Sequence, residues 1–301
     1  MVLNQIALTG ASGMLGIHIA KKLVEKNIEV IALSRTKPKI KSKLIKFKKF
    51  DIKKKYTKEK FKSFFKNATT IIHAGCTTNY LKEKNKKFSL KMNLKKTEEI
   101  GKFSCLNNKK LIYISGAIVY LRQKRTNSEN SKIKKKTDDL YTKSKIVSEK
   151  ILLKLSKIGL NLIILRPSSI YGYGQNSSKT ITKLVKKSIS NKKISLYHSH
   201  HQVNLVHASD VADIILKIIN SKKRVKGVFN VGGALYSYKV IGKNLKELFN
   251  CQVNEKKEIK NYKKNIQKLD VTSKKSKLYF NWKSKIKLKY GMLSIKNHEI
   301  L

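Results

Sequence analysis

Short apolar runs and helix-spaced apolar positions alternate along the first half of the chain. Runs at 5–9, 28–33, 44–51, 70–74, 110–115 and 161–166 predict strands, and the stretches 14–26, 58–65, 90–106 and 140–157 predict helices between them. Strands that alternate with helices imply an α/β fold with a doubly wound parallel sheet. Ile71 and Ile72, and Leu111 through Ile114, are apolar at successive positions, as strands covered on both faces require. In such a sheet ligands collect at the carboxyl ends of the strands. After Pro167 the order loosens into a loop at Tyr171, Gly172, Tyr173 and Gly174, a helix at 180–190, short strands, a helix at 209–219 and a strand at 228–231. A larger first region, 1–167, and a smaller second region, 168–301, are therefore expected, with chain crossings between them. The lysine-dense segments 123–136 and 256–268 have little apolar periodicity and are expected to be mobile loops. No internal repeat is evident.

The first strand runs directly into Gly10-Ala11-Ser12-Gly13-Met14-Leu15-Gly16, and a helical pattern follows at once. Glycines at 10, 13 and 16 let the backbone turn tightly and approach a pyrophosphate, which would face the amides at the start of the helix near Met14. A glycine-bearing turn without a ligand is the alternative. The strand before, the helix after and the second strand favour a bound dinucleotide.

Composition narrows the picture further. The 301 residues suffice for one large core or two unequal ones. No run of 18 apolar residues occurs, and the apolar start lacks the basic flank and cleavage site of a signal peptide, so a soluble cytoplasmic protein is expected. Cys76, Cys105 and Cys251 are widely separated, which argues against a disulfide framework or a zinc site and leaves packing as their default role. The net charge of +51 comes from 64 Lys and only 5 Arg spread along the chain, a pattern of compositional bias rather than of a focused nucleic-acid site. Such a charge still attracts anionic nucleotides, less so in salt.

Several motifs together resemble the extended short-chain dehydrogenase/reductases, the NAD-dependent epimerase/dehydratase family. They comprise the glycine loop, Asp51-Ile52, His73-Ala74-Gly75, Asn93, Tyr141 with Lys145, and Leu165-Arg166-Pro167. Farther along come Tyr171-Gly172, the segment from Val206 through His207 and Asp210 to Ala212, and Phe229-Asn230-Val231-Gly232. The resemblance covers nearly the whole length and implies a Rossmann-type nucleotide-binding region followed by a smaller substrate-binding region. It also implies a homodimer through the helices near 90–106 and 140–157. Cofactor contacts are implied for Gly10, Ser12, Gly13, Met14, Leu15, Gly16, Ser34, Arg35, Asp51, Ile52, His73, Ala74, Gly75, Asn93, Tyr141, Lys145 and Pro167. Loop capping is the alternative role for Asp51.

Tyr141 and Lys145 stand four apart on one helix face, so the ammonium can stabilise a phenolate and draw the phenol down from its usual pKa of about 10. Spacing alone is weak, because five Tyr-x-x-x-Lys pairs begin at Tyr56, Tyr80, Tyr120, Tyr141 and Tyr279. Tyr141 alone sits on the helix after the fifth strand, where the family places the residue that exchanges a proton with substrate while a hydride moves to or from the nicotinamide. No carboxylate ends the second strand; Ser34 and Arg35 stand there and suit a 2′-phosphate, so NADP is favoured over NAD, unless Arg35 simply faces solvent.

Three departures bear on the reaction. The family's catalytic hydroxyl position is Gly116, and Ser115, the adjacent candidate, points to the opposite face of an extended strand. Loss of one hydrogen bond to a developing oxyanion costs about 2.7 to 4 kcal/mol. Val203 replaces an arginine that binds diphosphate in the family's epimerases, and Ser169 replaces an asparagine. Ser169, Val203 and His201 are the substrate-side candidates. His198, His200 and His201 read as a solvated loop rather than a zinc site. The expected activity is an NAD(P)-dependent reductase or epimerase of a nucleotide-activated sugar. The alternative is an NADP-binding sensor or scaffold of the same fold.

Overall fold

The computed structural model describes residues 5–78, 80, 83–176, 179–256 and 269–297. In chain order the first part contains β1 (Ile6–Thr9), α1 (Met14–Val24), β2 (Val30–Ser34), β3 (Ile45–Lys49), α2 (Lys58–Phe65), β4 (Thr70–His73), α3 (Lys86–Leu106), β5 (Lys110–Ile114), α4 (Leu140–Lys157) and β6 (Leu162–Pro167). The remainder contains β7 (Ser169–Tyr171), α5 (Thr180–Ser190), β8 (Lys193–Leu196), β9 (Gln202–His207), α6 (Ala208–Asn220), β10 (Gly227–Val231), β11 (Ala234–Ser237), α7 (Tyr238–Phe249), β12 (Gln252–Glu255), α8 (Lys274–Phe280) and α9 (Leu288–Asn297).

Seven strands form one sheet in the order β10-β6-β5-β4-β1-β2-β3, every neighbouring pair parallel. This is the doubly wound Rossmann-type sheet. Side-chain alternation divides its apolar residues between two cores. Ile6 and Leu8, Ile112 and Ile114, and Ile163 and Leu165 point into one cluster with α1 and α6. Ala7, Leu111 and Tyr113, and Leu162 and Ile164 point into the other with Phe64, Phe65 and Ile100. At about 1.5–3 kcal/mol for each large apolar side chain removed from water, these layers dominate the folding energy.

β10 and α6 lie beyond residue 167 yet belong to the main layers, so the chain crosses the division expected there. A three-stranded sheet, β11-β9-β7, and a two-stranded one, β12-β8, accompany α5, α7 and α9 around a third core. Within it, Tyr171, Val185, Ile241, Leu245 and Met292 are buried. Among the described residues no helix is long and apolar enough to cross a membrane.

Two segments differ from expectation. The helix expected from 90 begins at Lys86, because the Asn85 carboxamide oxygen accepts from Phe88 N at 2.9 Å and caps a first turn that is mainly lysine. The 123–136 segment is anchored rather than mobile: Asn127 is fully buried, its backbone and side-chain amides both donate to Asp270 O, and its carbonyl accepts from Thr272 N at 2.9 Å. Of the second lysine-dense stretch, 257–268 lies outside the described residues.

α1 is tied to the C-terminal region through buried histidines. His18 bonds Ser209 Oγ at 2.8 Å and Tyr173 O at 3.2 Å, and lies edge-on to His207 with ring centroids 5.4 Å apart. His207 Nδ1 accepts from Ser209 N, which leaves Nε2 protonated and able to donate to Ser294 Oγ at 3.3 Å. Burial lowers His18 to about 4, and burial followed by the charge of His18 lowers His207 to about 3. His73 in β4 is lowered to about 3, again first by burial and then by Lys145. These imidazoles stay neutral in the native protein while the unfolded chain takes up protons near 6.5. The stability they contribute is complete above pH 6.5 and is lost as the pH falls toward 4, at up to about 1.4 kcal/mol per pH unit for each histidine. Urea denaturation between about pH 7 and 4.5 is expected to show this slope, and His207→Asn to remove roughly one third of it. An unaltered slope in the variant would count against the assignment.

Candidate active site

The loop after β1 is built on backbone-to-backbone contact. Gly10 has φ +72°, and a Cβ there would lie 2.8 Å from the backbone of Gly75. A Cβ on Gly16 would lie 2.1 Å from Gly10 O, so α1 packs directly on the loop. Gly13 caps α1 without a side-chain hydrogen bond, and no acidic residue stands in the first turn. The first amides of the helix around Met14 and Leu15 therefore face outward beside Ser12 as an anion seat. Ala74 and Gly75 continue the floor from the end of β4, where Gly75 N donates to Thr9 Oγ1 at 3.0 Å.

Asn93 in α3 is 2% exposed, and neither polar atom of its side chain has a partner. One turn further along α3, Thr97 bonds His73 Nε2 at 3.1 Å, which sets Asn93 about 5 Å nearer the carboxyl edge of the sheet. A buried carboxamide left unpaired at that edge fits a ligand that would pair with it. Together with the uncapped helix start, it makes the donor set suitable for a dinucleotide.

At the far end of the cradle Arg35 is exposed beyond β2. Ser34 departs from its expected role: it is 5% exposed and its hydroxyl donates to Thr36 O at 2.7 Å, so it is turned inward. Thr36, which the sequence did not single out, donates to Ser12 Oγ at 3.1 Å and stands at the mouth instead. Asp51 closes a turn, its Oδ1 accepting from Lys53 N at 2.9 Å, with Ile52 between them. Lys53 pairs with Glu83 at 2.5 Å. Hydrogen bonds from Lys53 and Ser89 hold Glu83 below the usual carboxylate range, and the charges of Lys53 and Arg35 add to the effect. The end of β2 thus has a carboxylate nearby after all, brought in by the approach to α3.

The His73 ring is engaged within the fold. Its ring nitrogens are taken by Thr9 Oγ1 at 2.7 Å and Thr97 Oγ1 at 3.1 Å, so it bridges β1, β4 and α3 from inside.

Asp139 caps α4 by accepting from Thr142 N at 3.0 Å and Tyr141 N at 3.3 Å, and so fixes Tyr141 on the first turn. Lys145 is 2% exposed. Its ammonium donates to Ile114 O at 2.7 Å and sits 5.1 Å from the centre of the Tyr113 ring and 5.7 Å from that of Tyr141. The half-buried Cys76 also lies close to it. Burial opposes the Lys145 charge, but Cys76, Tyr113 and Tyr141 more than offset it and hold its pKa above that of an ordinary lysine. The expected lowering of Tyr141 does not occur in this arrangement: burial, only partly countered by Lys145, pushes its phenol up to about 12. At neutral pH Tyr141 therefore carries its proton. Sequence reasoning misses Cys76 and Tyr113, because nothing in their spacing distinguishes them from packing residues.

Ser115 is not free to act beside Tyr141. It is buried and donates to Glu149, whose carboxylate is forked by Arg166 Nε at 3.0 Å and Nη2 at 2.5 Å. Arg166 Nη1 in turn reaches Tyr120 Oη at 2.8 Å, and Tyr120 donates to Asn230. Gly116 has extended backbone, φ −178°, and an added Cβ would meet nothing nearer than Ile118 Cγ2 at 3.6 Å and Pro167 O at 3.9 Å. Space and conformation both admit a side chain there.

On the substrate side, Ser169 is exposed and pairs with Leu205, and Val203 pairs with Tyr236, so the small sheet brings Ser169 and Val203 onto one face. Val203 packs against the third core. His201 stacks on His198 with centroids 5.0 Å apart, in a turn fixed by Tyr238 N donating to His201 O at 3.0 Å. Among the described residues no three His, Cys, Asp or Glu side chains are grouped to hold a metal ion.

A glycine cradle at the crest of a doubly wound sheet, with a Tyr and Lys pair beside it, defines a Rossmann-type short-chain oxidoreductase framework. The model of the NAD dependent epimerase/dehydratase family matches residues 6–232, and the chain belongs to that family. It is 22% identical over 254 residues to a dTDP-4-dehydro-6-deoxy-D-allose reductase from Streptomyces sp, covering 76% of each chain. Its fold is similar to that of UDP-glucuronic acid 4-epimerase from Bacillus cereus, solved with UDP-glucuronic acid and NAD, at a TM-score of 0.84, 17% identity and 98% of both chains. It is also similar to dTDP-glucose 4,6-dehydratase from Bacillus anthracis, solved with NAD, at a TM-score of 0.80 and 19% identity, over 97% of this chain and 95% of the other.

The room at Gly116 generates a direct test. Gly116→Ser is expected to leave the thermal midpoint within about 2–4 °C of the parent and to raise kcat on an accepted substrate by up to about 10²-fold. An unchanged kcat in a folded variant would show that a hydroxyl at this position does not reach the reacting oxygen.

Proposed function

We propose that this chain is an NADP-linked reductase, or failing that an epimerase, of a nucleotide-activated sugar. The observation that carries the reading is the grouping of Tyr141 and Lys145 with the ends of β4 and β5, beside a glycine cradle and an unpaired Asn93. The relatives act on dTDP- and UDP-sugars, which supports the substrate class. Gly10, Ser12, Gly13, Met14, Leu15 and Gly16 would seat the pyrophosphate, Asp51 and Ile52 the adenine side, and Ala74, Gly75, Asn93 and Pro167 the nicotinamide side. When bound, the nicotinamide supplies or accepts the hydride.

Tyr141 would hold the proton that reaches the substrate oxygen, and Lys145 would stabilise the phenolate left behind while holding the ribose. A phenol that is protonated at neutral pH can supply the proton that a carbonyl oxygen gains on reduction. Arg35, with Thr36 and Lys53 close by, supports a 2′-phosphate and hence NADP; the NAD of the solved relatives and the nearness of Glu83 favour NAD as the competing choice. The absence of a hydroxyl at Gly116, with Ser115 committed to Glu149, favours the second reading, a dinucleotide-binding sensor or scaffold without turnover.

Tyr141→Phe separates the two readings. An enzyme is expected to lose about 10²-fold or more in turnover while binding its dinucleotide within about threefold of the parent. Cellular function that survives this substitution intact would sink the enzyme reading. Arg35→Glu is expected to weaken NADP binding by about tenfold or more with little effect on NAD.

A homodimer through α3 and α4 is the assembly proposed. Phe88 and Leu153 are exposed on these helices, interspersed with exposed Lys87, Lys91, Lys95, Lys143, Lys150 and Lys154. Facing lysines repel, so the dimer should tighten with salt. Light scattering is expected to give twice 34.5 kDa, more completely at about 0.5 M salt than at 0.05 M. A monomer at both would overturn the proposal.

A further inference from the structure

The two cations at the adenine end of the cradle are not equivalent. Phe50 N donates to Ser34 O at 3.0 Å and carries the pairing of β2 with β3 past its last rung, Ser34 with Lys49. Arg35 and Asp51 therefore leave the sheet side by side. Thr36, the next residue, reaches Ser12 of the glycine loop at 3.1 Å, so this corner is joined to the pyrophosphate seat. Lys53 is fixed in the same corner by its backbone amide, which donates to Asp51 Oδ1 at 2.9 Å. Arg35 is exposed, whereas the Lys53 ammonium is paired with Glu83 at 2.5 Å.

Glu83 comes to this corner from elsewhere in the sheet. It lies between β4 and α3, and the order β4-β1-β2-β3 puts β4 three strand spacings, about 14 Å, from β3. Its Oε2 nevertheless meets Lys53 Nζ, and Ser89 in α3 donates to the same oxygen at 2.5 Å. The side chains of Lys53 and Glu83 are 28% and 19% exposed, so the pair is held within the corner rather than free in solvent.

NAD and NADP differ only at the adenosine ribose, beside the end of β2, where a 2′-hydroxyl donates to a carboxylate and a 2′-phosphate recruits cations. A carboxylate that engages Lys53 withholds a phosphate ligand and sets a like charge against the phosphate. The same carboxylate is an acceptor for a hydroxyl. We infer that Glu83 sets the choice between the two dinucleotides: by engaging Lys53 next to Arg35 it lets the parent chain accept both, and loss of this one carboxylate makes the chain selective for NADP. The inference rests on the cofactor reading given above and names the residue that governs it.

The test measures NADPH and NADH affinities of the full chain by fluorescence titration at one salt concentration. Glu83→Gln keeps the size of the side chain and an acceptor for Ser89 while removing the charge. It is expected to tighten NADPH about tenfold or more and to weaken NADH about two- to threefold. Lys53→Met in that background should cancel most of the gain, because the freed ammonium is what the phosphate recruits. Glu98→Gln is the charge-matched control, since Glu98 pairs with Lys102 at 2.6 Å within α3, and it should leave the ratio of the two affinities unchanged. An equal gain from Glu98→Gln would assign the effect to the positive field of the whole chain and overturn the inference. An unaltered ratio in folded Glu83→Gln protein, or an equal loss of both dinucleotides, overturns the inference alone. Parent protein that binds neither dinucleotide overturns the cofactor reading and this inference with it.

Discussion

The packing of three glycines against one another sets the geometry on which the rest of the molecule depends. Gly16 in α1 rests on the carbonyl of Gly10, and Gly10 rests on Gly75, so a helix, a central strand end and its neighbouring strand end meet without any side chain between them. A methyl group on Gly16 would push α1 away from the loop after β1, and one on Gly10 or Gly75 would push the ends of β1 and β4 apart. With the helix held this close, its first amides come to the edge of the sheet, and the apolar face of α1 meets Ile6, Leu8 and α6 in the same movement. One contact thus serves both the anion seat and the larger core.

The second fixed point is polar. Glu149 and Arg166 are both 2% exposed, and their ion pair ties α4 to β6. A buried pair of this kind contributes little net stability, but removal of either partner leaves an uncompensated charge, so the pairing specifies where α4 can lie. Ser115, Tyr120 and Asn230 join β5, the turn that follows it and β10 to the same pair. Lys145, one helical turn before Glu149, is thereby brought to Ile114 O. The hydroxyl of Ser115 strengthens this structural network and is committed to it rather than to the chemistry.

Much of this is legible in the order of the residues alone. The glycine loop, the alternation of strands and helices, and Tyr141 with Lys145 on one face all depend on local spacing, which is what a sequence displays most directly. What stays hidden depends on contacts between distant residues. Ser34 and His73 lie where cofactor residues belong, yet Thr36 O, Thr9 and Thr97 claim their polar atoms. Glu83 reaches the end of β2 from the approach to α3, and no pattern near Arg35 announces it. Spacing shows that Tyr141 has a lysine neighbour, but not that the low polarity around it acts more strongly than one ammonium that is shared with Ile114 O. Asn127 belongs by composition to a loose basic loop, and only Asp270, far along the chain, closes around it.

The place of β10 at one edge of the main sheet has a consequence for how the molecule is made. Until residues 227–231 have been synthesised, β6 is an outermost strand whose side chains are apolar on both faces, with no neighbour on one side. Trp282, which completes the core beneath α6, comes later still. A growing chain that has finished the nucleotide cradle therefore still presents an open and adhesive strand edge to its surroundings. The final third of the polypeptide acts as an edge cover, and fragments that end near residue 167 would be prone to associate through β6 rather than remain dispersed.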